Sequence, residues 1–176
     1  RVRLYLDIGT NGEIVLGNGE WLMACACSAG PAFEGGGIRC GMRAARGAVE
    51  RVRIDPSDGR ISASVVGGGR ARGLCGSGMI DLLAELWGTG RLTPAGKLDP
   101  GRCGPALRNP GSGRRDLAFS VIPAEESESG EAIVVSESDI QNLLRTKAAV
   151  YSACALMLKH ADLEAPDIAQ VFVAGG

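Results

Sequence analysis

Residues Leu4–Leu16 read LYLDIGTNGEIVL. Leu4, Tyr5 and Leu6 suit a buried strand, Asp7 closes it, and Glu13, Ile14, Val15 and Leu16 read as a second strand. Between them lie Gly9, Thr10, Asn11 and Gly12. The Asn11-Gly12 pair predicts a type I′ hairpin turn, whose two central residues both take positive φ. An acid at a strand end followed at once by a tight turn suits a phosphate. Turn N–H groups converge on the anion, and the carboxylate holds a hydrated cation beside it. The stretch therefore predicts a nucleotide-phosphate and Mg²⁺ site around Asp7. The competing reading is an ordinary Asn-Gly hairpin whose Asp7 and Thr10 only satisfy the turn backbone, and the flanking chain has to decide.

Outward from this hairpin, Gly17-Asn18-Gly19 is a second turn and Glu20–Cys27 a third strand, so residues 2–27 predict an antiparallel meander. CSAGPAFEGGG follows, from Cys27 to Gly37. Ser28 or Gly30 opens a short helix there, with Pro31 at its first position. A small-residue helix start presents free N–H groups to an anion. The alternative is a loop that needs its glycines for its own geometry.

Further on, Ser136 and Asp139 stand at capping-box spacing and open the longest helix. Ile140, Leu143, Leu144, Ala148, Tyr151, Ala155 and Leu158 recur at helical spacing as far as His160. A lone histidine at that place reads as a favourable charge at a helix end. Ile168–Ala174 is an apolar strand that ends in Gly175-Gly176, where bare backbone admits a ligand.

The middle of the chain reads differently. Arg39, Arg43 and Arg46 form a solvated basic face in preference to a phosphate clamp. Ala48–Ile54 and Arg60–Val66 pair across the turn Asp55–Gly59. Gly76-Ser77-Gly78 precedes a helix in which Met79, Ile80, Leu82, Leu83, Leu86 and Trp87 fit one stripe, ended by Gly88 and Gly90. A glycine loop at a helix start is weak evidence alone, because close packing demands the same residues. Residues 93–115 lack periodicity and predict a surface loop. Asp116–Ile122 and Glu131–Val135 read as strands, and the acidic turn between them is given no chemistry.

Composition narrows the classes. A chain of 176 residues suffices for one domain, or one lobe of a larger one. Hydrophobic residues make up 45% but aromatics 4%, so Leu, Ile, Val and Ala must build the core. The net charge of −1, with no basic block and few aromatics for base stacking, gives nucleic-acid binding no support. No apolar run has the length of a membrane span, and no signal peptide is seen. The six cysteines include no C-x-x-C pair; Cys25 and Cys27 form a C-x-C whose members share one strand face. Buried, reduced thiols in a cytoplasmic protein are the preferred account. The chain starts on Arg1 and stops on Gly175-Gly176 directly after a strand, and both ends read as cut.

A meander, an insertion, a long helix and a strand closing on Gly-Gly is the order of a ribonuclease-H-like α/β lobe with a mixed sheet. With DIGTNGE near one end and VFVAGG at the other, the chain resembles the nucleotide-binding lobe of the actin, sugar kinase and heat-shock chaperone superfamily. DIGTNGEIVLGN, ACACSAGPAFEGGGIRCGMRA, GLCGSGMIDLLAEL, SDIQNLLRTKAAVYSA and VFVAGG together resemble the C-terminal part of the reductive activators of corrinoid proteins. The resemblance covers nearly the whole chain, least specifically over residues 93–115.

That resemblance implies a core of residues 1–33 and 137–176 with an inserted α+β subdomain, 34–136. It implies ATP and Mg²⁺ as ligands and a corrinoid protein as partner, whose Co(II) cofactor is reduced to Co(I). The electron would enter through a plant-type iron–sulfur domain that this chain lacks. A homodimer is a further expectation. Carried over by residue, Asp7 orients the metal or its water, and Gly9, Thr10, Asn11 and Gly12 cradle phosphate. Gly30 and Glu34 lie near the nucleoside, and Gly175 and Gly176 form the adenosine turn. CSAGPAFEG also resembles a loop of 2-hydroxyacyl-CoA dehydratase activators, but no cluster-holding role passes to Cys25 or Cys27. The phosphate hairpin of the other lobe is missing, so the chain alone is expected to bind nucleotide poorly and hydrolyse it hardly at all. Two other readings stand beside this one: a non-catalytic dimerisation or docking module, and half of a small-molecule kinase. The kinase needs a catalytic carboxylate facing a substrate hydroxyl, and none stands out. A second DxGT hairpin and clustered cysteines in the upstream coding sequence would decide for the activator.

Overall fold

Alternation sets the first sheet. β1 (Val2–Ile8) and β2 (Gly12–Gly17) pair antiparallel with Leu4 opposite Leu16 and Leu6 opposite Ile14. β3 (Leu22–Cys27) continues the meander, with Ile14 opposite Cys25 and Gly12 opposite Cys27. Every second residue therefore faces one side. Leu4, Ile14 and Leu16 are buried there around Met157, with Met23, Cys25, Cys27, Val150 and Cys154 packed against them. The computed structural model describes residues 1–109 and 116–175. Pro110–Arg115 of the expected surface loop, and Gly176, lie outside the described residues.

Two compact units divide the chain: Arg1–Pro31 with Leu144–Gly176, and Ala32–Leu143. The sequence reading cuts after residues 33 and 136 instead, which assigns the whole of the long helix to the first unit. In the second unit a single 3₁₀ turn, Pro31–Glu34, stands where a short helix is expected, and Pro31 is its first residue. β4 (Ala48–Ile54) and β5 (Ile61–Val65) form the expected hairpin, and β6 (Gly73–Leu74) joins β4 in parallel. α1 (Gly76–Gly88) follows, with Met79, Leu82 and Leu86 buried. Ile80 and Trp87, assigned to the same stripe by sequence, are exposed. Six apolar residues within two and a half turns span more of the helix than one contact face can cover.

Residues 93–109 are not structureless. α2 (Pro100–Cys103) is one turn capped by Asp99, and β7 (Leu107–Arg108) pairs with β8 (Ala118–Ile122), which pairs in turn with β9 (Ile133–Ser136). Arg39, Arg43 and Arg46 are all exposed, as a solvated face should be.

α3 (Glu137–His160) opens on a complete capping box. Ser136 N donates to Asp139 Oδ2 at 2.9 Å, and Asp139 N donates to Ser136 Oγ at 3.2 Å. The next side chain, Glu137, is buried and accepts from Lys97 Nζ at 3.0 Å and Leu98 N at 2.9 Å. At the other end His160 Nδ1 lies 2.8 Å from the carbonyl oxygen of Leu156.

α3 leads into β10 (Ile168–Ala174), which lies parallel to β1 and completes the sheet order β10-β1-β2-β3. A parallel neighbour needs such a helical crossover. The strand is not a buried one. Val171, Phe172 and Val173 keep 54%, 49% and 67% of their surface exposed, and among the described residues β1 is the sole strand paired with β10.

Candidate functional site

The parallel pairing of β1 with β10 brings two glycine ends together in the first unit. Asp7 stands beside Ala174 in register, and the next residues are Ile8 and Gly175. Gly175 has φ +116, and a Cβ there would overlap the carbonyl oxygen of Ile8, with Ile8 C and N only 2.8 and 2.9 Å away. Glycine is required on both counts. The start of the terminal diglycine thus lies against the root of the β1–β2 hairpin. Gly176 lies outside the described residues.

The hairpin tip is not a type I′ turn. Asn11 does not have positive φ, and neither does Gly9 or Gly12. Gly12 is the first residue of β2, so the turn is carried by Gly9, Thr10 and Asn11, with Gly9 N donating to Asn11 O at 2.9 Å. Gly12 is glycine for space. A Cβ on it would come within 2.7 Å of Cys27 Sγ, 3.3 Å of Val150 Cγ2 and 3.8 Å of Ala29 Cβ. Gly9 is under no such constraint, since the nearest atom to a Cβ there is Asn11 O at 3.9 Å.

Asp7 and Glu13 are paired across the two strands and so project from the same face. Tyr5, two residues before Asp7, is on that face as well, and its hydroxyl donates to Asp7 Oδ2 at 3.3 Å. The charge of Asp7, first, then burial, this hydrogen bond and the charge of Glu13 push the Tyr5 phenol above its ordinary value. Two carboxylates at one strand end offer hard oxygen donors, which suit Mg²⁺. Among the described residues no group of three or more His, Cys, Asp or Glu side chains is placed to hold a metal.

Gly30, at φ +75, follows Ala29 in the turn after β3, and nothing stands within 4 Å of where its Cβ would be. Glu34 closes the 3₁₀ turn and belongs to the second unit, where Gly35 is pressed against the Gly41–Met42 backbone. The structure thus gathers Asp7, Gly9, Thr10, Asn11, Gly12 and Gly175 at one end of the first sheet. Gly30 joins them through Ala29, its neighbour in the chain.

All six cysteines are free. Cys25 and Cys27 do share a face, toward the core, where Cys25 Sγ lies 3.2 Å from Met157 Sδ. Burial, before the influence of Cys27, raises the Cys25 thiol; burial also leads the rise at Cys154. Burial thus favours the protonated form at Cys25 and Cys154.

Two further residues stand beside the tip. Glu13 becomes visible once hairpin register is applied, since it must face Asp7. Thr146, buried in the middle of α3, donates from Oγ1 to the carbonyl oxygen of Ala29 at 2.7 Å. A groove of about 680 Å³ belongs to the second unit and is lined by residues such as Ile61, Arg70, Arg108, Val121 and Glu126.

A family model described as the C-terminal domain of RACo, the ASKHA domain, matches residues 1–176. A corrinoid activation enzyme of Eubacterium limosum, RamQ, is 32% identical over 181 residues, which cover 99% of this chain and 30% of that protein. A Co(II) methylated amine-specific corrinoid protein reductase of Methanosarcina barkeri is 32% identical over 121 residues, 56% of this chain and 22% of its own length. A solved structure described as a reductive activator for corrinoid, iron-sulfur protein superposes with a TM-score of 0.92 at 47% identity, over 100% of this chain and 28% of that one. The chain therefore spans under a third of the length of these relatives. Among its described residues no helix is long and apolar enough to cross a membrane.

Proposed function

The chain belongs to the family of RACo C-terminal ASKHA domains, and from that premise we propose that it binds the phosphates of Mg·ATP at the Asp7 hairpin. It does so as one domain of a longer cytoplasmic activator that reduces Co(II) to Co(I) on a corrinoid protein. One observation carries the reading: Gly175 lies against Ile8, so the root of the hairpin and the first glycine of the terminal pair share a single edge. A phosphate-gripping turn and an adenosine turn have to meet in this way if one nucleotide is to touch both.

The residue roles follow from chemistry. Thr10 and Asn11 offer backbone N–H groups and a hydroxyl to phosphate oxygens, while the Gly9 N–H is held by Asn11 O. Gly9 has no side chain to block close approach, although neither its φ nor its packing demands glycine. Asp7 holds Mg²⁺ or one of its waters, with Glu13 across the hairpin as a second carboxylate on the same face. Mg²⁺ neutralises phosphate charge when bound. Gly30 serves the nucleoside side, and Gly175 with Gly176 the adenosine turn.

In the longer protein an iron–sulfur group supplies the electron. ATP binding and hydrolysis shift the domain arrangement and with it the cobalt environment in the partner, which makes an uphill electron transfer feasible. The test is calorimetric binding of Mg·ATP to the full-length protein. Asp7→Asn is expected to weaken it about tenfold or more, equivalent to about 1.4 kcal/mol, and to reduce ATP-dependent Co(I) formation in parallel. Unchanged affinity overturns the proposal.

A further inference from the structure

We propose that Thr146 is a positioning residue for the hairpin tip, and that it acts from the middle of α3 on the turn that underlies Gly12. The inference rests on the nucleotide reading given above.

A threonine inside a helix ordinarily bonds back to a carbonyl of its own preceding turn. Thr146 also reaches far beyond its own turn, donating to Ala29 O, 117 positions away in sequence, at 2.7 Å. It keeps only 4% of its surface exposed, and Ala29 is buried too. The turn that receives the bond is short. Ala29 N donates to Cys27 O at 2.9 Å, and Gly30 follows at φ +75. Cys27 and Ala29 are both in contact range of a Cβ built on Gly12, and Gly12 pairs with Cys27 on one side and Ile8 on the other. Val150, one helical turn after Thr146, supplies the third contact to Gly12. One face of α3 thus presents a hydroxyl to the turn and a methyl to the tip. Neither side chain is on the hairpin, yet together with Cys27 they fix its base, on which Gly9–Asn11 stand. A shift of the Ala29 carbonyl moves Cys27 and Ala29 relative to Gly12, where the space beside Cys27 does not admit even a Cβ.

Thr146→Val keeps the branched shape and deletes the donor, whereas Thr146→Ser keeps the donor and deletes a methyl. In the full-length protein, Mg·ATP affinity and melting temperature without nucleotide are measured for both, beside Asp7→Asn and Met157→Ala. The last is a core variant on the same helix that does not touch the tip. The expected result is an affinity loss of about tenfold for Thr146→Val, equivalent to about 1.4 kcal/mol of binding free energy. Thr146→Ser should bind within about twofold of the native protein, and Met157→Ala should melt earlier with affinity retained. The inference is overturned if Thr146→Val binds normally while Asp7→Asn does not. It is overturned equally if Thr146→Ser is as impaired as Thr146→Val, or if Met157→Ala loses affinity in step with its melting temperature. Unchanged binding in Asp7→Asn brings down the nucleotide reading and this inference with it.

Discussion

Gly76-Ser77-Gly78 at the start of α1 and Gly9-Thr10-Asn11-Gly12 at the tip of the first hairpin are both glycine-rich turns beside a strand end, and their glycines serve different ends. A Cβ on Gly76 would overlap the carbonyl oxygen of Phe33, and one on Gly78 that of Val49. Both glycines let backbone pack on backbone, and nothing remains for a ligand to approach. At the hairpin the roles are divided. Gly12 packs against Cys27 and Val150, while Gly9 faces open space. Open space alone marks nothing, since Gly19 in an ordinary surface turn is as unobstructed. What sets Gly9 apart is its company: Asp7 lies two residues before it, and Gly175 is pressed on the backbone between them. A glycine-rich turn becomes a candidate phosphate site when its glycines are not already used up in packing.

The largest expected effect breaks or upholds that contrast directly. Gly78→Ala drives a methyl into the Val49 carbonyl and should cost about 3 kcal/mol of stability, at the upper end of overpacking penalties. Gly9→Ala should change stability by no more than about 0.5 kcal/mol, as at an unencumbered surface position, while Mg·ATP affinity falls about tenfold, or roughly 1.4 kcal/mol. Chemical denaturation with nucleotide titration on the same samples measures both. If Gly9→Ala unfolds the protein, or binds as before, the two turns are not different in kind.

A smaller effect sharpens the account of Gly12. Gly12→Ala places a methyl 2.7 Å from Cys27 Sγ, which is a side-chain neighbour and can be removed. It should cost about 1–2 kcal/mol. Combining it with Cys27→Ala should recover a large part, giving a favourable coupling of about 1 kcal/mol in a double-mutant cycle. Additive losses would show that conformation, not the Cys27 contact, makes glycine necessary there.

The same contrast explains what the sequence could reveal. Hairpin and sheet membership were legible because Leu4, Leu6, Ile14 and Leu16 alternate, and period two survives any detail of the turn. The turn type was not. Asn-Gly signals positive φ only when the pair is central, and here packing on Cys27 draws Gly12 into β2. The buried face of α3 was legible at its start, where Ile140 and Leu143 are buried as their spacing implies, and slips by about one residue further on. Tyr151 and Ala155 suggest a stripe but are exposed, and the contact runs through Val150, Cys154 and Met157. Thr146 left no signal, because a buried hydroxyl bonded 117 residues away has no local pattern. β10 reads as an apolar strand, whereas the side chains of Val171, Phe172 and Val173 are largely exposed. Glu13 was within reach, since register alone puts it opposite Asp7.

The smallest effect tests the electrostatics of the acidic face. Tyr5 is one of 2 tyrosines, so its ionisation can be followed by tyrosinate absorbance against a simple background. Asp7 is the first cause of the upward shift of its phenol from the ordinary 10.0, ahead of burial, the hydrogen bond and Glu13. The fold therefore favours the neutral phenol. What this contributes to stability is whole below the ordinary tyrosine range and is lost as pH rises through the displaced titration. Asp7→Asn removes the leading cause and should bring the Tyr5 titration down toward 10.0, while Glu13→Gln should move it less. Added Mg²⁺ should act in the same direction as Asp7→Asn, because a cation beside the carboxylate offsets the charge that holds the phenol neutral. No such movement with Mg²⁺ at any concentration that supports ATP binding would place the cation elsewhere than on Asp7. The hairpin would then keep its phosphate contacts but lose its claim to the metal.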